Sequence, residues 1–525
     1  MAGQRRLALA LACVVGLAGC ESDSSPRAIG PKPPADVLRV GVERPGSLDP
    51  AQAQKPGELL LAEHLFSPLT KFDAATLAIQ PAVAAQWQPN AEMTQWDFTL
   101  RADAKFNNGR AITAEDVKYT LERIARRGSP SRAAAQLQMI TGFAPFSLTG
   151  RADTLAGVTA PAPNVVHFSL DQPLSALPAV LGNPAFGIVP KESVEAQPPS
   201  PPFSDQPLGS GPFVLESRTD STLHLVPAPG AQMPLKAVDV YLAHDSAGSY
   251  ADFLGGGLDW AEVPPDQIEP ATPKSSQERS QPYAGELFYA FNVKNPKYAD
   301  VRFREAIVRA VDREAIVQVI YGSAVLPLGG IVAAGIPGYQ ADACGAKCVH
   351  DPARARELVK EVFGETPPPE VQLDFNDDLT QQAVARAIQA NLKEAGIPVA
   401  LRPKPFSDYS QFFDSGQQEM FRLGWIPAYP TPDAFLAPLF VTGGSDNVSG
   451  FSSPEVDALV AAARLEPDEA KRMAAYQQAE KLVMDQVPVV PIAQFQTHAV
   501  VSDRVEGLQL SAYGTFDATK VSLKG

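Results

Sequence analysis

Histidine and cysteine are scarce in this chain of 525 residues, at six and four. The histidines (His64, His167, His224, His244, His350, His498) stand apart without metal-ligand spacing. No His-Glu-x-x-His, no P-loop and no Gly-x-Gly-x-x-Gly opening a helix occurs, so the compact signatures of zinc peptidases, nucleotide hydrolases and dinucleotide enzymes are missing. The nearest thing to a nucleophile elbow is Gly209-Ser210-Gly211-Pro212, where the spacing is wrong and proline follows. Positive charge is also short: 44 lysines and arginines face 59 acids. That balance argues against nucleic acid as a partner, since phosphate contacts need basic side chains, and against lying on an anionic membrane. Past the N-terminus no run reaches the roughly 20 apolar residues that a membrane-spanning helix takes. No cofactor motif and no catalytic constellation emerges.

What is present begins at the N-terminus. Arg5 and Arg6 precede the apolar run Leu7 to Ala18, and polar residues follow it. A charged start, a short apolar core and small residues at its end describe a secretory signal. Leu17-Ala18-Gly19-Cys20 resembles the bacterial lipobox, in which cleavage leaves the cysteine as a lipid-bearing N-terminus; the alternative is a plain signal peptide that contains a cysteine. Acyl chains contribute about 0.8 kcal/mol per buried CH₂, which would tether the chain to the outer face of the cell membrane, the lipid being its only contact with the bilayer. Residues 21–36, polar and Pro-rich, form a linker. In such an oxidising compartment Cys344 and Cys348 are expected to close a small disulfide; half a metal site with His350 and Asp351 is the rival reading.

Proline, at 50 residues, is about twice its usual share, so many connections are rigid loops. Period-2 alternation predicts strands at Val37 to Val42, Thr94 to Arg101 and Val165 to Leu170. Leu208 to Leu215 reads as a glycine turn entering a strand. Thr113 and Asp116 form a capping box for a helix whose face is Val117, Leu121 and Ile124. Further on, Phe288 to Val293 reads as a strand. Asp300 and Asp312 open helices, the second running through Ile320. Val371 to Phe375, a helix that Gly396 ends, and Ile397 to Leu401 make a βαβ unit with a parallel strand pair. Ser453-Pro454 starts another helix. A long helix from about Asp468 to Gln486 precedes the strand-like VPVVPIAQF. This is an α/β chain of at least two lobes, where ligands bind at the carboxyl ends of strands or between lobes.

Eight segments in order carry a resemblance: SLDP (Ser47 to Pro50), WDFTLRADAKFNNGRAITAEDVKYTLERI (Trp96 to Ile124), LGSGPF (Leu208 to Phe213), GGGLDW (Gly255 to Trp260), FNVKNP (Phe291 to Pro296), VRFREAIVRAVDREAIVQVIYGSA (Val301 to Ala324), DPARARELV (Asp351 to Val359) and GWIPAYPTPDAFL (Gly424 to Leu436). Together they resemble the extracellular solute-binding proteins of family 5, the peptide-binding components of ABC importers, over nearly all of the mature chain. The resemblance implies a two-lobed periplasmic-binding-protein fold of type II with mixed sheets, a hinge and an extra subdomain. Its expected bounds here are 37–68, 183–290 and 491–525 for lobe I, 69–182 for the subdomain and 291–490 for lobe II. It also implies a monomer that closes over a small solute, a peptide first, and docks on a permease. A sensor that reports a solute without importing it is the second reading, and an extracellular hydrolase the third.

The cleft residues implied by the same resemblance are Gln54, Lys55 and Pro56 from lobe I and Trp425, Ile426, Ala428 and Tyr429 from lobe II, with Phe288 near the crossing between lobes. Peptide-binding relatives carry an aspartate at the position of Ala428, where it pairs with the peptide's α-amino group. Asp433 is its substitute if the loop folds back. Otherwise the ligand is a peptide held another way, an N-blocked peptide, or a non-peptide such as an oligosaccharide or metal chelate.

Overall fold

Two strands of unusual length, Glu278–Phe291 and Val489–Val501, run antiparallel through the middle of an eleven-stranded sheet. The structure is a computed structural model that describes residues 36–196, 202–268 and 278–524; Cys20 and its leader lie outside these. Across the sheet the path runs 399–404, 371–376, 420–425, 278–291, 489–501, 260–262, 37–43, 237–243, 222–227, 213–218. The first three strands flank one end of the long pair and the last five flank the other. One sheet thus serves two lobes, each with its own apolar core. Leu38, Val40, Phe213 and Val240 sit in one core, and Phe303, Leu373, Ile388 and Phe421 in the other.

A third core belongs to a separate four-stranded sheet, 84–89, 95–100, 165–169 and 158–162. The alternation read at 94–101 is the reason: Trp96, Phe98 and Leu100 all point inward. The helix Ala114–Ala125 covers this sheet, opened as its sequence dictates. Asp116 accepts from the Thr113 backbone N–H at 2.8 Å and from its hydroxyl at 2.9 Å.

Other elements follow the sequence with shifts of a residue or two. The βαβ unit is Val371–Asn376, Leu379–Glu394 and Val399–Lys404, with its strands parallel and Gly396 at φ +80° past the helix end. The helix after Asp312 is shorter than expected: it ends at Ile316 and widens into a π-turn at Val317–Tyr321. The strand expected at 288–293 is the largest difference, since it starts ten residues earlier. Its first half, ERSQPYAG, has no apolar alternation, and pairing with Gln496–Val500 holds it extended. Cys344 and Cys348 are joined by a disulfide, and His350 pairs with Asp312 at 3.3 Å, so the pair is not half a metal site.

The LGSGPF segment owes its glycines to close approach. A Cβ on Gly209 would lie 1.8 Å from the Leu65 carbonyl oxygen, and one on Gly211 2.4 Å from that of His64. The Gly209 carbonyl also accepts from Asn107 N–H at 2.9 Å, which joins lobe I to the small-sheet body. Gly209→Ala therefore costs about 3 kcal/mol through forced backbone displacement, read as a lower urea midpoint than wild type.

Candidate functional site

The two long strands lose their register between Pro282 and Glu286. Pro282 pairs with Gln496 and Glu286 with Gln494, so three residues oppose Phe495 alone. This bulge is where the sheet passes from one lobe to the other, and a ladder broken there offers a natural hinge.

Strand directions then locate a site. In lobe I, Val37–Glu43 and Ala237–Ala243 are parallel to each other and to Trp260–Glu262, which is antiparallel to the second long strand. Their carboxyl ends point at the bulge. In lobe II, Met420–Trp425 is antiparallel to the first long strand, and its parallel neighbours Val371–Asn376 and Val399–Lys404 share its direction. Their carboxyl ends point at the bulge from the other side. Open α/β sheets bind ligands outside the carboxyl ends of their strands, and here two such edges face one line.

On lobe I the edge carries a groove of about 1090 Å³, its open mouth included. Glu43, Lys55, Pro56, Asp245, Glu262 and Thr497 line it. Glu58 fixes the segment before the helix Pro56–Leu65: one oxygen accepts from Gln54 N–H at 3.0 Å and Lys55 N–H at 3.2 Å, the other from Gly46 N–H at 3.2 Å. Lys55 is ion-paired with Glu43, which raises the lysine's pKa. Glu262 opens onto the mouth; the shelter of the groove first, and then the like charge of Glu43, raises its pKa. The groove is acidic overall, with one cation held at its edge.

Lobe II presents a different chemistry. Arg422 and Tyr289 are opposite each other in the ladder. Arg422 Nε, the Tyr289 hydroxyl, Asn376 Oδ1 and Gln381 Oε1 are buried without a hydrogen-bond partner among the described residues. Burial first pushes the Tyr289 phenol far up, and the nearby Arg422 guanidinium opposes that shift. Buried polar groups without partners are uncommon in folded proteins and call for an explanation; here they gather round one guanidinium beside the start of the helix Leu379–Glu394. Three large apolar side chains stand exposed just beyond the three parallel strands: Leu379 at 84%, Phe406 at 73% and Ile426 at 57%. Such a row is an unburied contact surface.

The residues expected in the cleft divide. Lys55 and Pro56 line the groove, and Gln54 is exposed beside it. Ile426 is exposed at the end of its strand, and Trp425 is half-buried with its indole N–H donating to the Ala434 carbonyl at 2.8 Å. Phe288 is 3% exposed inside the lobe II core and presents no surface to a solute. Tyr429 is buried against the small-sheet body. Ala428 lies beside it, its carbonyl accepting from Asn183 Nδ2 at 3.4 Å.

Asp433 is not a substitute for an acid at Ala428. It is fully enclosed, accepting from Arg464 Nε at 2.7 Å and Nη2 at 2.9 Å, and from the hydroxyls of Tyr429 at 2.7 Å and Tyr476 at 2.9 Å. Burial alone would raise its pKa, but Arg464 and the two phenols more than offset that and hold it low. Its charge is already used. Arg422, Leu379 and Phe406 went unread in the sequence. Arg422 alternates like any exposed strand residue, and only its position two residues before Gly424-Trp425 hinted at the site.

No group of three His, Cys, Asp or Glu able to hold a metal occurs among the described residues, and none of the described helices is long and apolar enough to cross a membrane. The sequence profile of bacterial extracellular solute-binding proteins, family 5 Middle, matches residues 78–447. The chain belongs to this family, and it is a binding protein, not an enzyme. It is 28% identical over 492 residues to the periplasmic murein peptide-binding protein MppA of Escherichia coli K12, covering 91% of this chain and 90% of that one. It is 26% identical over 452 residues, 83% of each chain, to the dipeptide-binding protein DppE of Bacillus subtilis 168. The probable deoxycholate-binding periplasmic protein YgiS of E. coli K12 is 28% identical over 477 residues, 88% of each chain. The unliganded open form of MppA superposes with a TM-score of 0.83 at 26% identity, over 93% of this chain and 97% of that one. A second structure of the E. coli protein gives 0.68 at the same identity, over 93% and 98%.

Proposed function

We propose that this protein captures a small solute bearing both an ammonium and a carboxylate, a short peptide first, between its lobes and delivers it as a monomer to the permease of an ABC importer. The observation that carries this reading is the convergence of strand ends from both lobes on the bulge, with the acidic groove on one side and Arg422 on the other. Closure would bring Glu43, Glu262 and Asp245 toward the ammonium and the Arg422 fork toward the carboxylate, a charge-assisted pairing that planar guanidinium suits. Backbone groups and trapped water complete the contacts. Names of relatives such as MppA and DppE support a peptide. The test is native mass spectrometry of protein purified from peptide-rich medium. Released short peptides support the reading, and a single non-peptide mass contradicts it.

A second reading is an amphipathic carboxylate, of the kind named for YgiS. It is favoured by Ala428, by the committed Asp433, and by the apolar row Leu379, Phe406 and Ile426 beside Arg422. Deoxycholate added to solute-free protein separates the two, since only this reading predicts that it competes with released peptide.

Lipid on Cys20 would hold the receptor beside its permease and raise its local concentration there. Cys20→Ser is expected to move the protein from the membrane fraction to the soluble one, with no change in solute binding, as read by fractionation and blotting.

A further inference from the structure

A cavity of about 1190 Å³, mouth included, lies between lobe I and the body that carries the small sheet. None of its lining residues lines the groove above. Its walls are the helix Pro56–Leu65, the hairpin of Thr70–Phe72 and Ile79–Pro81, and the C-terminal segment around 511–519. The hairpin's Leu77 belongs to the lobe II core, and Tyr513 in the wall donates its hydroxyl to the Pro427 carbonyl of lobe II at 3.4 Å. Phe66, Phe72, Leu77 and Phe516 supply apolar wall, and Glu63 and Asp517 supply carboxylates.

Among the described residues Glu63 accepts one hydrogen bond, from the Thr515 hydroxyl at 3.1 Å. The other charged or titratable groups around it are accounted for. On its own helix His64 is neutral: Nδ1 bonds the Leu60 carbonyl, Nε2 accepts from Ala518 N–H, and burial lowers its pKa. Across the cavity Arg101 is held by Asp103 at 2.8 and 3.0 Å. Asp517 is engaged with Thr519, and Lys71 sits exposed at the mouth. Lys520 and Asp73 pair with each other at 2.9 Å nearby.

We propose that this cavity is a second small-molecule site, separate from the interlobe groove, for an organic primary amine with an apolar body whose ammonium pairs with the Glu63 carboxylate. The apolar walls would take the body, and the acids Glu63 and Asp517 the cationic end. In the empty cavity burial holds the Glu63 pKa up at about 8, with Thr515 opposing, Asp517 reinforcing and Lys71 opposing. Glu63 is therefore mostly the neutral acid at pH 7. On binding, its O–H bond breaks, the proton goes to the buffer, and the carboxylate stays paired with the incoming ammonium. Because Leu77 and Tyr513 couple the walls to lobe II, occupancy is linked to lobe position.

The probe is phenethylamine, with phenethyl alcohol as its uncharged counterpart, titrated calorimetrically into the purified protein. Expected are amine binding that tightens about tenfold per pH unit from pH 6 to 7.5, nearly one proton released per amine when two buffers of different ionisation heat are compared, and much weaker binding of the alcohol. Glu63→Gln, close to isosteric, should weaken the amine at least about thirtyfold while solute binding in the groove is kept. Binding independent of pH, an alcohol that binds as well as the amine, or no amine binding at millimolar concentration would each overturn the proposal. The wild-type pH and alcohol arms decide even if the variant fails to fold.

Discussion

Asp259→Ala lowers the stability of lobe I by about 3–5 kcal/mol, the range for removing one partner of a buried ion pair. Asp259 has no exposed surface and lies at the turn into the strand Trp260–Glu262. It accepts from Arg39 N–H at 2.9 Å, Arg39 Nε at 3.0 Å and Nη2 at 2.9 Å, and from Arg504 Nε at 2.7 Å and Nη2 at 2.6 Å. Arg504 also donates to the Val37 carbonyl at 2.7 Å. One carboxylate therefore ties together the first strand, the strand after GGGLD and the chain beyond the second long strand. Its loss leaves Arg39 buried with its charge uncompensated. Burial raises the Asp259 pKa, but Arg504 and Arg39 more than reverse that and leave it lowered. A lowered folded pKa means stability that is present above the unfolded value near 4 and is lost as pH falls through the folded one. Urea midpoints for wild type and variant should differ at pH 7 and converge as the pH drops below 4. A variant as stable as wild type at pH 7 would contradict this role.

Arg422→Gln reduces solute affinity at least about 100-fold, in line with truncating one member of an enclosed charge-assisted pair. The folded state should be little changed, because Arg422 makes no side-chain hydrogen bond within the described chain and Gln can meet the hydroxyl of Tyr289. Arg422→Lys should recover part of the loss, keeping the charge without the planar fork. Isothermal titration with the solute identified by mass spectrometry measures both, and circular dichroism checks the fold. If Gln binds as wild type does, the lobe II half of the site lies elsewhere.

Most of the scaffold could be read directly because local signals agree with the fold. The capping box at Thr113 and Asp116, the βαβ unit ending at Gly396 and the Ser453-Pro454 helix start are each decided within a few residues. The long strand from Glu278 could not be read. Its first half is polar and carries Pro282, and it is strand only because a partner two hundred residues away holds it. The same limit applies to the site. Lys55, Pro56 and Ile426 came from motif position; Ile426 follows the end of a strand, and Lys55 and Pro56 open a helix that lines the groove. Phe288 looked like a cleft aromatic and is core, a distinction that depends on which face of a strand is covered. Asp433 looked available and is not, because Arg464 and Tyr476 come from helices that the sequence does not pair with it. Arg422 could not be singled out, since a half-buried arginine whose Nε has no partner shows only when everything around it has been placed.

On the proposed function the lobes close on a solute about the bulge at 283–285. The most direct test is the distance between spin labels on Asp220 of lobe I and Glu365 of lobe II, both exposed, in solute-free protein and after adding the solute that the native protein carries. Closure gives a shorter and narrower distance distribution with solute, and no shortening when Arg422→Gln is given the same concentration. Equal distributions with and without bound solute would contradict it.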